Sequence, residues 1–454
     1  MLSHEQLRDR MSGPSIRNWE LASALSAENE VTLAAPGAVG RRHPAFRVIS
    51  YDRQSLVDLA QAHDVCICSG FLLHENPALL QCDHLVVDMY GPFQLESLHM
   101  FEDRSISDRV AMGRSFRGVL GQLMSCGDLF LCASERQKDF WLGWLDSHGR
   151  VNVVTHKADP GYNSMVRVVP FGLPEERPTR GRARFRGVLP GIGQDDFVVL
   201  WGGGIWNWFD PLTLIQAASA TRDALPNLRV LFPSTASPSE QVPAMHMARQ
   251  ARALSDSLGL TGRRVFFGDG WVPYEERGSV FLEADLGVSL HLDDIETRFS
   301  FRTRVLDYLW AGLPVLTTQG DSMADLVAEH DLGAVVSYAD VEGVAAALVA
   351  LSDPDRRKAC GSRSAALSST YRWSAVAGPL LEYCANPQQA ADHDQARGGL
   401  LNPTTVDPAV EGPAELVRLG RRSIEALRGG GFRRVKDKGR EYLRRRWARP
   451  RRRA

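Results

Sequence analysis

The residues best suited to chemistry lie between Phe299 and Asp321, in the run FSFRTRVLDYLWAGLPVLTTQGD. Arg302 and Arg304 flank the start of a helix whose apolar face is Val305, Leu306, Leu309 and Trp310. Gly312 stops that helix, and Pro314 opens an apolar strand closed by Thr317 and Thr318. A helix N-terminus presents unpaired N–H groups and the positive end of a dipole, which together seat phosphate. Two guanidinium forks beside it match the oxygens of a diphosphate. An ordinary αβ unit with surface arginines reads the same way, so the rest of the chain has to decide.

A second candidate is Gly202-Gly203-Gly204, directly after the apolar run Phe197–Trp201. Glycines there let backbone N–H groups approach a phosphate closely, although a tight strand-to-helix turn needs them too. Trp206 and Trp208 follow and either wall the same site or pack in a core.

The elements that must hold these groups alternate along the chain. Short apolar runs at Val31–Ala35, Phe46–Tyr51, Asp64–Ser69, His84–Val87, Asp128–Ala133 and Val166–Val169 read as buried strands. Helical patterns such as Asn18–Ala27 and Val110–Cys126 lie between them. After the Arg/Gly/Pro-rich stretch Glu175–Gly187 a second series begins: Phe197–Trp201, Leu228–Phe232, Val265–Phe267, Leu286–Ser289, Pro314–Thr318 and Gly333–Val336. Helices at Pro211–Arg222, Ala244–Leu258 and Val341–Leu351 separate these strands. The pattern predicts an α/β protein with two Rossmann-like, doubly wound domains facing across a cleft. The expected boundaries are 1–174 and 175–370, then a helix over 371–385, a linker over 386–413 and a basic tail over 414–454. Ligands in such sheets bind beyond the carboxyl ends of the strands.

A chain of 454 residues is too long for one core, which agrees with two domains. No apolar run is long enough to span a bilayer, and the opening MLSHEQLRDRMSG has no h-region. The seven cysteines are odd in number, and Cys66-Ile67-Cys68 lacks a second Cys/His pair at ligand spacing. Reduced thiols and a cytoplasmic location are expected, and no zinc. The net charge of -1 hides an asymmetry, because Val417 to the C-terminus holds about 16 Arg/Lys against about 3 Asp/Glu.

Several short motifs, in order, resemble the family 4 glycosyltransferases (group 1 type), which have the GT-B fold. They are Gly13-Pro14-Ser15-Ile16-Arg17 with Trp19-Glu20-Leu21-Ala22, Val31-Thr32-Leu33-Ala34, Val169-Pro170-Phe171-Gly172, Gly202–Gly204 and Leu306-Asp307-Tyr308-Leu309-Trp310-Ala311-Gly312-Leu313-Pro314. The resemblance covers roughly residues 12–384. It implies a hexosyltransferase whose second domain binds a nucleotide-diphosphate sugar and whose first domain binds the acceptor. It further implies retained anomeric configuration, no metal and no cofactor. Basic side chains and amides then stabilise the departing diphosphate.

The resemblance also assigns residues. Two glutamates eight positions apart are typical; the second, on the donor ribose, becomes Asp307, and the first falls at Phe299. Glu296 is close by but out of register. Asp307 has a competing reading, as a helix acid paired with Arg304. Ser300 and Phe301 belong to the same donor segment, and backbone groups near Trp271 and Val272, in the loop Gly268–Pro273, become candidates for the base. The cation usual after the glycines is missing, so Arg302 and Arg304 carry more of the charge. Arg302→Ala is then expected to cost orders of magnitude in turnover with the fold intact.

On the acceptor side, Gly13 and Arg17 approach the donor phosphates or the acceptor. Asp88 or Tyr90 orients the acceptor or the sugar, with His99 a more distant candidate and Asp88 alternatively a cap for the next turn. Asp293-Asp294 invites a metal reading of the GT-A kind, but the surrounding order makes these loop polars. Only Met1-Leu2 remain of the first strand that the family has, so a late start of the sequence is expected.

The tail places Val417, Gly420, Ile424 and Leu427 on one side, with Phe432, Val435, Tyr442, Leu443 and Trp447 in a looser stripe among cations. This reads as a helix on an anionic membrane surface, suiting a lipid-linked or cell-surface glycan acceptor. A disordered basic tail is the alternative, and nucleic acid is not the expected partner. Two further functions stay open: a sugar-nucleotide epimerase, for which no clear acid/base pair is visible, and an inactive donor-binding scaffold.

Overall fold

Apolar runs of three to five residues, too short for helices and most of them buried, become parallel strands. The computed structural model of the chain describes residues 1–235, 244–268 and 270–401. The first lobe contains β1 (Thr32–Pro36), β2 (Arg47–Tyr51), β3 (Val65–Ser69), β4 (His84–Asp88), β5 (Leu129–Cys132) and β6 (Val166–Val168). β1 pairs with β2, and β3-β4-β5-β6 form a four-stranded sheet, all parallel. The second lobe contains β7 (Phe197–Leu200), β8 (Leu228–Phe232), β9 (Val265–Phe267), β10 (Leu286–Ser289), β11 (Val315–Thr318) and β12 (Gly333–Val336). These form one parallel sheet in the order β12-β11-β10-β7-β8-β9.

Where the sequence leaves a strand nearly empty, the first three residues bridge β1 and β3. Leu2 makes a parallel bridge to Ala34. Its N–H donates to Ile67 O at 2.8 Å, Ser3 N–H donates to Ala34 O at 2.9 Å, and Ala34 N–H donates to Met1 O at 3.0 Å. These bonds stitch β1 to β3 and satisfy backbone groups that would otherwise be buried unpaired. The buried Leu2 joins the core beneath them.

Two expectations are corrected. Tyr371–Cys384 is not one helix: a turn at Ser368–Tyr371 leads to short helices at Trp373–Val376 and Gly378–Ala385. The Gly378-Pro379 pair restarts the helix, since proline lacks the N–H that continuation needs.

Nor are residues 386–397 a linker, for they return to the first lobe and dock there. Asp392 (3% exposed) pairs with Arg150 at 2.9 Å, and Arg397 (8% exposed) pairs with Asp128 at 2.8 Å. His393 Nδ1 lies 2.6 Å from the other oxygen of Asp128. The rest of the expected linker, apart from the helix His393–Leu401, and the whole basic tail lie outside the described residues. Among the described residues no helix is long and apolar enough to cross a membrane.

Both lobes and the returning segment belong to one unit, Met1–Arg397. A continuous core joins Leu7, Met11 and Trp19 of the first lobe to Leu200, Phe281 and Leu309 of the second. The chain crosses between lobes where Leu173 N–H donates to Tyr371 O at 2.6 Å and Trp373 N–H to Leu173 O at 2.9 Å. This arrangement aims the carboxyl ends of both sheets at a shared cavity.

Candidate functional site

That cavity encloses ≈ 600 Å³ between the lobes. From the second lobe it is lined by Gly202, Gly203, Gly204, Trp271, Val272, Ser300, Phe301, Arg302, Arg304 and Asp307. From the first it is lined by Gly13, Arg17, Asp88 and Tyr90. Apart from the more distant candidate His99, every residue singled out from the sequence as donor-binding, acceptor-side or catalytic therefore borders one space.

The glycine turn is held by a residue the sequence reading overlooked. Tyr308 Oη accepts the Gly202 N–H at 2.7 Å and donates to Val288 O at 2.8 Å. Its ring lies flat on β10, where a Cβ on Gly287 would meet it at 2.3 Å. Gly202 thus has no free amide. Gly203 sits at φ 92°, a backbone that L side chains rarely adopt. The N–H groups of Gly203 and Gly204 have no acceptor among the described residues, so they remain for a ligand.

The two arginines differ. Arg302, the N-cap residue of the helix Thr303–Ala311, turns back to Glu296, donating at 2.9 and 2.6 Å. Its Nε is 3.5 Å from Asp321 Oδ2. Burial works against the Arg302 charge, but Glu296 outweighs it and holds the guanidinium pKa above its ordinary value. Glu296 also accepts from Ser300 Oγ and is fully buried. It is the charge partner of Arg302 and does not line the cavity.

Arg304 has no such carboxylate. Its Nη2 donates to Gly204 O at 3.0 Å, and its guanidinium lies 4.1 Å from the Phe209 ring centroid. Nη1 is buried with no partner among the described residues. Burial pushes Arg304 down to about 10, and it stays cationic at neutral pH. A buried, under-compensated guanidinium beside open amides is a strong seat for an anion. The expectation that Arg302→Ala would spare the fold is therefore corrected. That change strands buried Glu296, and breaking such a pair costs about 3–5 kcal/mol.

Asp307 faces the cavity, and its ion partner is Arg277, with Nε 3.6 Å from Oδ1, rather than Arg304. Burial raises its pKa, with Arg277 opposing. Arg277, also missed from the sequence, stacks on Tyr274 at 3.7 Å and lines the cavity. Trp271 Nε1 donates across the cleft to Met11 O at 3.0 Å. Trp206 and Trp208 stack at 5.6 Å and both border the cavity. Asp269 of the expected base-recognition loop lies outside the described residues.

On the first lobe, Arg17 and Asp88 are spent on each other. Arg17 Nε donates to Asp88 Oδ2 at 2.6 Å and Nη2 to Oδ1 at 3.1 Å, while other N–H groups reach Pro170 O and Val169 O at 2.9 Å. Asp88 is therefore an ion-pair partner and not a cap for the next turn. Arg17 lies 5.0 Å over the Tyr90 ring, and a Cβ on Gly13 would sit 3.0 Å from Tyr90 Oη.

Phe299 packs on Phe140 at 4.6 Å, outside the cavity lining. His99 is also outside it, with Nδ1 2.8 Å from Glu102 and Nε2 3.2 Å from Asp294. Glu96 was missed. It lines the cavity from the helix Phe93–Met100, and burial, with Glu296 adding and Arg302 opposing, raises it to about 8. Neither missed carboxylate nor arginine carries a local motif; only the long-range fold gathers them.

No family model and no curated protein matches the sequence. Among solved structures, sucrose-phosphate synthase from Thermosynechococcus elongatus is 16% identical with a TM-score of 0.58, covering 84% of this chain and 94% of that one. WaaG, a glycosyltransferase involved in lipopolysaccharide biosynthesis, is 15% identical with a TM-score of 0.55, covering 85% and 99%. HepE from Anabaena, solved with UDP and glucose, is 12% identical with a TM-score of 0.60, covering 85% and 99%. The likeness is one of architecture, and the fold is GT-B.

Proposed function

We propose that the chain is a glycosyltransferase that moves a hexose from a nucleotide-diphosphate sugar to an acceptor seated against the first lobe. The observation that carries this reading is Arg304: a buried cation with an open Nη1, hydrogen-bonded to the glycine turn and facing the interlobe cavity. As the bond to the sugar breaks, charge grows on the diphosphate oxygens. Arg304, the Gly203 and Gly204 amides and the first turn of Thr303–Ala311 are preorganised to meet that charge. Asp307 accepts from the ribose hydroxyls, and backbone near Trp271 and Val272 meets the base. The family 4 resemblance supports retention of configuration without a metal. HepE is solved with UDP and glucose and with UDP-glucose, which makes UDP-glucose the first donor to try. A cytoplasmic enzyme acting on a cell-surface glycan or lipid-linked acceptor, with the basic tail on an anionic membrane face, completes the proposal.

Thermal melting with UDP, GDP and dTDP is the direct test. A bound diphosphate at 100 times its Kd adds about 2.7 kcal/mol and raises the melting temperature. If none of the three shifts it, the donor site is misassigned. Transfer or hydrolysis with UDP-glucose then separates an enzyme from a scaffold.

A further inference from the structure

One helix of the first lobe carries a group that the fold does not use. On Phe93–Met100 the residues Phe93, Glu96, Ser97 and Met100 stand at i, i+3, i+4 and i+7, so they share a face, and all four line the cavity. Ser97 Oγ is spent on Gln94 O at 2.8 Å. The Glu96 carboxyl is half-buried and forms neither a hydrogen bond nor an ion pair among the described residues. A carboxyl without a partner on such a face costs the fold free energy. The helix is also fixed in place. It packs on the second-lobe helix Ile295–Phe299, and His99 O accepts from Asn207 Nδ2 at 2.9 Å. Glu96 is therefore presented rigidly where the two walls meet.

The rest of the wall selects the ligand. Phe71, Phe93 and Phe116 give it aromatic faces. Asn18, 5% exposed, lines the cavity without a hydrogen-bond partner among the described residues, and the Tyr90 hydroxyl also makes no hydrogen bond there. Apolar faces with a few unpaired donors and acceptors suit a ring that carries hydroxyls. An anionic ring would call for a cation as well. The basic residues of the first-lobe lining are Arg17 and His4. Arg17 is spent on Asp88, Val169 O and Pro170 O, and His4 stands 4.0 Å from the carboxylate of Glu5. Resting on the transferase reading, we propose that the acceptor presents an uncharged sugar ring to the first lobe and that Glu96 holds one of its hydroxyls.

Calorimetric titration of the full chain, saturated with whichever of UDP, GDP or dTDP raises its melting temperature, tests this. The probes are methyl glucoside, methyl galactoside and methyl mannoside, each beside its 6-phosphate. At least one neutral glycoside should bind about tenfold more tightly than its 6-phosphate, a difference of about 1.4 kcal/mol. Glu96→Ala should weaken that glycoside about tenfold, Glu96→Gln should fall in between, and neither should change nucleotide affinity. Glu96 has no partner to strand, so neither variant should melt below wild type. A Glu96→Ala chain that fails to fold would make Glu96 structural and overturn the inference. Wild-type glycoside affinity in Glu96→Ala, or a 6-phosphate binding as tightly as its neutral counterpart, would also overturn it. So would a loss confined to UDP-glucose, which would move Glu96 to the donor sugar. Nucleotide binding with no glycoside bound would remove this inference alone. A wild-type chain that binds none of the three nucleotides would remove the transferase reading, and this inference with it.

Discussion

The two walls of the cleft handle charge in opposite ways. On the first lobe Arg17 is locked to Asp88, and a cluster of phenylalanines (Phe71, Phe93, Phe101 and Phe116) shares the wall. On the second lobe Arg302 is cancelled by Glu296, but Arg304, two residues on, is left without a carboxylate partner. A buried charge with a partner builds architecture; one without a partner needs a ligand to complete it. Residue type does not separate the two roles, since all of these are arginines at the cavity.

The sharpest way to break this contrast is to remove the cancelled ions. Arg302→Ala should cost about 3–5 kcal/mol in urea unfolding, and Arg302→Met with Glu296→Leu should recover most of it. A single variant as stable as wild type would mean that Glu296 is not relying on Arg302. Asp88→Asn should lose stability of similar size through the stranded Arg17, with UDP affinity nearly unchanged; a stable variant that no longer binds UDP would move Asp88 into the donor site.

Arg304→Ala tests the uncancelled ion. Transfer from UDP-glucose should fall by about 10²–10³ in kcat/KM, the scale of one lost oxyanion donor, with a smaller melting change than Arg302→Ala. Equal activity in single-turnover assays would leave the diphosphate without its cation.

The effect confined to one pH window concerns Glu96. Its folded pKa, about 8, lies above the ordinary carboxylate value, so between pH 4.5 and 8 the folded protein holds a proton that the unfolded chain releases. Stability from this group is full below pH 4.5 and is lost as pH rises through about 8. Glu96→Gln should therefore melt higher than wild type at pH 8 and equally at pH 4.5. A difference that is constant across melting curves in that window would show that Glu96 titrates normally.

Much of this molecule was legible in its sequence. All twelve strands lie within a residue or so of their expected positions, because short apolar runs between turn residues have one stable use in a parallel sheet. Apart from His99, the candidate site residues also meet in one cavity. Their partners were not legible. Glu296 is six positions from Arg302 and looked like an out-of-register acid, while Asp88 and Arg17 are 71 positions apart. Tyr308 looked like one more apolar helix residue, since its hydroxyl contacts depend on β7 and β10 lying side by side. The polar composition of 386–397 read as a linker because ion pairs across more than 240 positions leave no local trace.

The returning segment has a practical consequence for anyone trimming the protein for crystallisation. A stop codon after Ala385 looks natural, since the last strand and helix of the second lobe are complete there. It would discard Asp392, His393 and Arg397, orphaning the guanidinium of Arg150 and the carboxylate of Asp128 on a lobe far away in the chain. Cutting beyond Arg397 keeps that clasp shut.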